Sequence, residues 1–271
     1  MNRQDLILIR GAGDLASGIA LRLWRAGFAV VMTEIAVPTT IRRTVAFSQA
    51  VVDGACVVED LEARRAENPP EALALLERGI LPVLVDPDCR CRAELKPEVL
   101  VDAILAKRNC GTAVTDAPIV IGVGPGFTAG LDCHAAVETM RGHSLGRALY
   151  TGSPLPNTNI PGLIGGFAGE RVLRAPADGI FREALRIGDR VRAGDVAGWV
   201  GEIPMVCTID GVLRGLLASG VPVRKGMKAG DVDPRNEPAY CKTASDKALA
   251  IGGGVLEAVL HLQRQIEKEG L

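Results

Sequence analysis

Aromatic side chains are scarce: Phe, Trp and Tyr make up 3% of the 271 residues. A surface that stacks bases needs such rings. The formal charge of −1 also provides no cationic excess for a phosphate backbone, so nucleic acid is not an expected partner. Long apolar runs are missing, and no uninterrupted stretch approaches the ~20 residues that cross a bilayer. Met1-Asn2-Arg3-Gln4-Asp5 leads straight into a short strand, without the apolar core of a signal peptide. These absences predict a soluble cytoplasmic protein with no membrane partner. The seven cysteines contain no C-x-x-C and no even, regular spacing, which argues against a disulfide framework. Their nearest pair, Cys89-Arg90-Cys91, is too tight for ordinary structural zinc spacing. Most read as small buried hydrophobes, whereas Cys89 and Cys91, in the polar loop "DPDCRC", read as exposed reduced thiols.

Hydrophobic residues are plentiful at 48%, enough for a substantial core. Up to about Tyr150, short apolar runs alternate with helical segments. The runs are "LILIR", "AVVMTEI", "ACVVE", "ILPVLVD", "VLVDAILA" and "APIVIGV"; the helices are expected at Asp14–Ala26, Pro70–Arg78 and Asp132–Arg141. Near-continuous apolar strands separated by helices indicate a parallel sheet covered on both faces. Residues 1–165 are therefore expected to form a Rossmann-like, doubly wound α/β domain.

The Pro-, Gly- and Asn-rich stretch Thr151–Gly166 marks a change of character. Beyond it, Asp178–Val200 aligns without a gap to Asp210–Val232. Gly179, Arg182, Leu185, Gly188, Val191 and Gly198 match Gly211, Arg214, Leu217, Gly220, Val223 and Gly230. A repeat of short strands and glycine turns whose halves cannot bury their apolar faces alone predicts a small all-β domain at 166–236. The repeat resembles the biotinyl/lipoyl type of barrel-sandwich domain over Arg174 to Pro234. In those domains a hairpin between the halves presents a lysine for biotin or lipoate. Here that hairpin, "GEIPMVCTID", has none, and no lysine occurs between Lys107 and Lys225. The module thus reads as a rigid interaction or dimerisation element. Residues 237–271 form a C-terminal helix opened by Ser245 or Asp246. Leu249, Leu256, Val259, Leu260 and Ile266 are its expected apolar stripe, which packs on the first domain. Gly252–Gly254 would cost that helix about 1 kcal/mol each relative to alanine, unless another backbone comes close or the helix breaks there.

The first motif with chemical content is "RGAGDLASG". Gly11 would allow a tight turn after the first strand, and Gly13 the approach of a phosphate to a helix start. Glu34, ending the second strand, stands where an acid often binds ribose hydroxyls, while Asp14 sets a negative charge in the first turn. Arg42 and Arg43, among the hydroxyls of Thr39, Thr40 and Thr44, suit an oxyanion or an ordinary solvated loop. The second motif is "GVGPGFTAGLDCHAAVETMRGHSLGR". Gly124 and Gly126 form a loop after an apolar strand, and Asp132 is expected to start a helix. On that helix His134, Glu138 and Arg141 would share a face, with His143 just beyond; a surface pair or a satisfied histidine is the plainer alternative. Two of the three histidines fall in this window, which marks His134, Glu138, Arg141 and His143 as candidate catalytic residues. No ligand set at standard spacing is complete, so a metal stays undecided.

Together "RGAGDLASGIALRLWRAGF", "IRRTVAFSQAV", "VLVDAILAKRN", "GPGFTAGLDCHAAVETMRGHSLGR" and "SDKALAIGGGVLEAVL" resemble the YqeB-type family, accessory proteins of selenium-dependent molybdenum hydroxylases, over essentially the whole chain. The resemblance implies a role in maturing a hydroxylase of the xanthine dehydrogenase kind, with its apoenzyme or assembly factors as partners. It assigns no active site, so residue roles rest on the motifs above. The bound nucleotide is open between NAD and molybdopterin cytosine dinucleotide, and a homo-oligomer is compatible with the repeat. An NAD-dependent oxidoreductase and a non-catalytic scaffold are the competing expectations.

Overall fold

The computed structural model describes residues 6–269, so Met1–Asp5, read above for a signal peptide, lie outside the described residues. The chain folds into two compact units interleaved along the sequence. The first gathers the chain up to Ala36, Phe47–Asn157 and the chain from Ala244 onward; the second gathers Val37–Ala46 and Thr158–Thr243. Neither consists of a single stretch. The sequence blocks 1–165, 166–236 and 237–271 had no such excursion at Val37–Ala46.

The first unit is mixed α/β. Its elements in chain order are β1 (Leu6–Arg10), α1 (Asp14–Arg25), β2 (Ala29–Glu34), α2 (Gln49–Asp53), β3 (Ala55–Val58), β4 (Leu61–Ala66), α3 (Pro69–Glu77), β5 (Leu81–Val85), α4 (Arg92–Leu95), β6 (Val99–Asp102), β7 (Ile119–Val123), β8 (Ala135–Val137) and β9 (Ala148–Leu149). The strands form one nine-stranded sheet in the order β3-β4-β5-β2-β1-β6-β7-β8-β9. Neighbours run parallel except at the ends, where β3 pairs antiparallel with β4 and β9 with β8. β1 and β7 are buried along their whole length, as expected of strands covered on both faces. The run "ACVVE" is half of a hairpin instead of a parallel strand. Its turn is made by Glu59 in the left-handed region at φ 56°, a signal hidden because no glycine marks it.

Helix α3 starts on a sequence signal that the chain states plainly. The Asn68 side chain accepts from Glu71 N–H, with prolines at the first two helical positions, where their missing N–H groups cost nothing. The expected helix Asp132–Arg141 is absent. Thr128–Asp132 is a turn closed by Thr128 N–H on Asp132 Oδ1 at 2.8 Å. Ala135–Val137 then adds to β7 as a parallel strand with all three residues buried. Three successive buried residues suit a covered strand, which buries both faces, better than a helix with one wet side.

The last helix of this unit, α5 (Asp246–Glu269), runs unbroken through the three glycines. Ser245 Oγ accepts from Ala248 N–H at 3.2 Å, an N-cap contact. A Cβ on Gly252 would lie 2.7 Å from Gly18 O of α1, and one on Gly254 would lie 1.9 Å from Gly146 O. Two of the three glycines thus admit another backbone, while Gly253 faces open space. This approach also sets the buried face. Ala248, Ile251, Val255, Ala258, Val259 and Leu262 are buried, whereas Leu260 is exposed, so the stripe is rotated from the expected one.

The second unit contains β10 (Val172–Arg174), β11 (Gly179–Glu183), β12 (Arg190–Val191), β13 (Val196–Val200), β14 (Ile203–Val206), β15 (Gly211–Leu216), β16 (Pro222–Val223) and β17 (Lys228–Asp233). They make two four-stranded antiparallel sheets, β10-β17-β15-β12 and β14-β13-β11-β16, with Phe181, Val200, Leu213 and Val232 in the shared core. The sequence repeat is a structural repeat. Phe181 pairs with Val200 as Leu213 pairs with Val232, and Gly179 with Val223 as Gly211 with Val191. The short strand of each copy lies in the sheet of the other. One repeated arginine serves two purposes: Arg182 lies 5.9 Å over the Trp199 ring, and Arg214, its equivalent, donates to buried Asp231 and Asp233 at 2.9 Å each.

Candidate functional site at the carboxyl edge of the large sheet

The chain leaves β1 for β2 on one side, while β6 lies on its other side. Such a reversal opens a crevice at the carboxyl ends of the strands, the usual ligand position in open α/β sheets. Gly11 turns the chain at φ +104°, where a Cβ would lie 3.0 Å from Ala103 O of the segment following β6. Only glycine suits both the dihedral and the approach. Gly13 is the N-cap of α1 and Asp14 its first residue.

The loop's own donors are partly spent. Gly11 N–H donates to Thr33 O at 2.9 Å, and Ala12 N–H donates to Glu34 Oε2 at 3.0 Å. Glu34 Oε1 accepts from Ile35 N–H at 2.8 Å. Its carboxyl is turned into the loop. Burial raises its pKa above the ordinary carboxylate value, partly offset by the two N–H donors.

Beneath the loop lies a polar network that no sequence motif marks. Arg10, buried at the end of β1, donates to Asp102 Oδ2 at 3.3 Å and Thr112 Oγ1 at 2.9 Å. It also donates to the carbonyls of Pro87 and Cys110 at 3.1 and 3.2 Å. Thr112 Oγ1 in turn donates to Asp102 Oδ2 at 2.6 Å. A cavity of about 180 Å³ is lined by Arg10, Cys89, Arg92, Cys110, Thr112 and Asp116 among others. The signal was a charged residue closing an otherwise apolar strand, at "LILIR" and at "VLVD".

Cys89 also faces this cavity. It is 2% exposed, which corrects the expectation of a solvated thiol; Cys91 is half-buried. A hydrogen bond from Cys91 holds the Cys89 thiol below its ordinary value, with help from Thr33 and Arg10 against burial and Asp86. The same bond and burial push Cys91 up.

The histidine window does not assemble as a helical face. A strand advances about 3.3 Å per residue, so His134 and Glu138 lie about 13 Å apart along β8 instead of one turn apart. His134 sits before β8, where its N–H donates to Val120 O at 2.8 Å and its Nδ1 accepts from Val120 N–H at 2.9 Å. Burial lowers its pKa. Glu138, buried beyond the other end of β8, accepts from the N–H groups of Thr139, Met140 and Leu155, each at 2.7 Å. Arg141 forks onto Asp246 at 2.8 and 3.0 Å, and His143 is exposed. Gly124 and Gly126 both have positive φ; a Cβ on Gly126 would lie 2.5 Å from Arg108 Cα. These residues organise loops and do not converge on one point.

Arg42 and Arg43 belong to the second unit. Arg42 donates to Tyr240 O at 3.2 Å; Arg43 donates to Leu216 O at 2.8 Å and pairs with Glu183. These bonds tie Val37–Ala46 to β15 and its surroundings. Among the described residues no group of three His, Cys, Asp or Glu side chains is arranged to hold a metal, and no helix is long and apolar enough to cross a membrane.

No family model matches the chain. Over 261 residues, 96% of the chain, it is 55% identical to the uncharacterized protein YqeB of Escherichia coli (strain K12), and the match covers 48% of that protein. The chain thus spans about half the length of the curated relative it matches. A solved succinylglutamatedesuccinylase/aspartoacylase from Rhodobacter sphaeroides aligns with TM-score 0.21 and 24% identity over 23% of this chain and 21% of that one. An aspartoacylase family protein from Mesorhizobium loti aligns over 84% of each chain with TM-score 0.29 and 12% identity. Likeness that weak carries neither fold nor chemistry across. Sequence identity of 55% over nearly its whole length places the chain, across the 261 matched residues, among the YqeB-type proteins.

Proposed function

We propose that the chain is an accessory protein in the maturation of a selenium-dependent molybdenum hydroxylase of the xanthine dehydrogenase kind. In this reading the first unit, Rossmann-like in its β1–α1–β2 start, takes a nucleotide or a cofactor that carries one, such as molybdopterin cytosine dinucleotide. The second unit, a barrel-sandwich without the modified lysine, is an interaction element for the hydroxylase apoenzyme or its assembly factors. The work is done in the cytoplasm. The observation that carries the ligand reading is the Gly11–Gly13 loop in the β1/β6 crevice, with Gly11 at φ +104° and Gly13 as a bare N-cap. These fit a phosphate held by main-chain N–H groups at the start of α1.

Two observations count against a hydride-transferring dehydrogenase. Glu34 is committed to Ala12 N–H, and His134, the one attractive proton donor, is committed through Nδ1 to Val120 near the opposite end of the strands. Calorimetry of the purified chain with NAD, NADP and CTP tests the reading. CTP binding without NADH turnover supports it; tight NAD binding with turnover replaces it with the oxidoreductase. If a Gly13→Asp variant complements fully, a scaffold that binds nothing small is the better account. Unchanged selenium-dependent hydroxylase activity after gene deletion, in a host that needs it, would sink the maturation role.

A further inference from the structure

We infer that Cys89 and Cys91 form a redox-active dithiol that exchanges two electrons with a small organic disulfide entering the cavity beside Arg10. Neither a nucleotide nor a hydroxylase enters this chemistry.

The pair is built by one residue. Asp86 follows β5; its main-chain O accepts from Cys89 N–H at 3.1 Å, and its Oδ2 accepts from Cys91 N–H at 2.7 Å. That turn forces Cys89 into the left-handed region at φ 55°, a conformation costly for a side chain with a Cβ and often kept at functional positions. Each side chain acts on the other: Cys91 lowers the pKa of Cys89, and Cys89 raises that of Cys91. From the neighbouring strand β2, the Thr33 hydroxyl, 1% exposed, has no hydrogen-bond partner and favours the anion at Cys89. A thiol accepts weakly, whereas a thiolate satisfies such a donor. Cys91, Thr33 and the Arg10 guanidinium each favour the anion at Cys89.

The surroundings also divide the labour. Cys89 lines the cavity of about 180 Å³ and is the attacking sulfur; Cys91, its N–H held by Asp86 and its pKa raised, is the resolving one. Cys56, Cys133 and Cys207 differ from Cys89, since burial pushes Cys56 and Cys207 up to about 11 and Cys133 up to about 12. In the first step the Cys89 thiolate attacks one sulfur of RS–SR. A Cys89–S–SR bond forms, the S–S bond of the disulfide breaks, and RS⁻ leaves to be protonated. Cys91 then loses its proton to water and attacks Cys89 sulfur, expelling the second RS⁻. The balance is two protein thiols oxidised to one disulfide and RS–SR reduced to two RSH, with two protons carried to the products.

The test uses the full chain, reduced and equilibrated without oxygen in mixtures of 2-mercaptoethanol and bis(2-hydroxyethyl) disulfide. Samples are acid-quenched, alkylated and digested with trypsin. Cleavage after Arg90 separates the two cysteines in sequence, so a disulfide is read directly as "GILPVLVDPDCR" joined to "CR". The expected result is that joined species, titrating as a two-electron couple while the other cysteines stay alkylated. In Cys91→Ser the Cys89–mercaptoethanol adduct should accumulate at least ~10-fold over wild type, because nothing resolves it. Cys89 and Cys91 both remaining alkylated throughout, adducts spread evenly over the cysteines, or a Cys89–Cys110 link would overturn the assignment. The wild-type map decides even if the variant does not fold.

Discussion

At the scale of single residues, Glu34 separates two kinds of loop. An acid that binds ribose hydroxyls gives up affinity when it becomes an amide. Glu34 instead holds Ala12 N–H and puts charge beside the helix start. Glu34→Gln is therefore expected to bind CTP about fivefold tighter, the effect of roughly 1 kcal/mol less repulsion. Because burial raises the Glu34 pKa, its charge appears as pH rises through that value. Wild-type affinity should fall over that range and the variant's should stay flat, both read by calorimetry. His134 gives a stability test. Its pKa is lowered in the fold, so the unfolded chain binds its proton first and stability falls as pH drops below the ordinary histidine value. His134→Asn keeps an acceptor for Val120 N–H and should show a shallower fall in unfolding midpoint between about pH 7 and pH 5. The glycines of the first motif were legible because dihedral and position leave glycine little competition. The partners of Arg10 were not, because Asp102 and Thr112 reach it from far along the chain.

Elements were legible where local signals and packing agree. Helix α3 has its cap and prolines, and β1 its apolar run. The helix expected at Asp132–Arg141 failed because Asp132 resembles an N-cap, yet its carboxylate is taken by Thr128 behind it. What decides the strand is the open edge of β7, which no local pattern reveals. The glycine triplet of α5 is the sharpest test at this scale. Gly252→Ala would set a Cβ 2.7 Å from Gly18 O and should destabilise the first unit by about 1–3 kcal/mol through overpacking. Gly253→Ala meets nothing within 4 Å and should stabilise it by about 1 kcal/mol through helix propensity. Denaturant unfolding of the two variants, adjacent in sequence and opposite in sign, checks both.

For the molecule as a whole, the division into units follows contacts and not chain order. Val37–Ala46 gives Ile41 O to Leu216 N–H at 2.8 Å and groups with Thr158–Thr243. Amide exchange followed by mass spectrometry should therefore show Val37–Ala46 opening together with the second unit, not with β2 or α2 on either side. Protection that tracks β2 would contradict this grouping. The excursion was invisible beforehand because a ten-residue detour leaves no compositional mark, whereas the repeat was plain from its matched glycines and valines.

The reciprocal strand placement in that repeat bears on ancestry. Since β12 completes the sheet of the later copy and β16 that of the earlier one, a lone copy lacks the strand that closes it. The smallest closed object built from one copy is a swapped homodimer. Gene duplication and fusion would then have turned a two-chain assembly into a single-chain one, giving up concentration dependence while keeping every pairing.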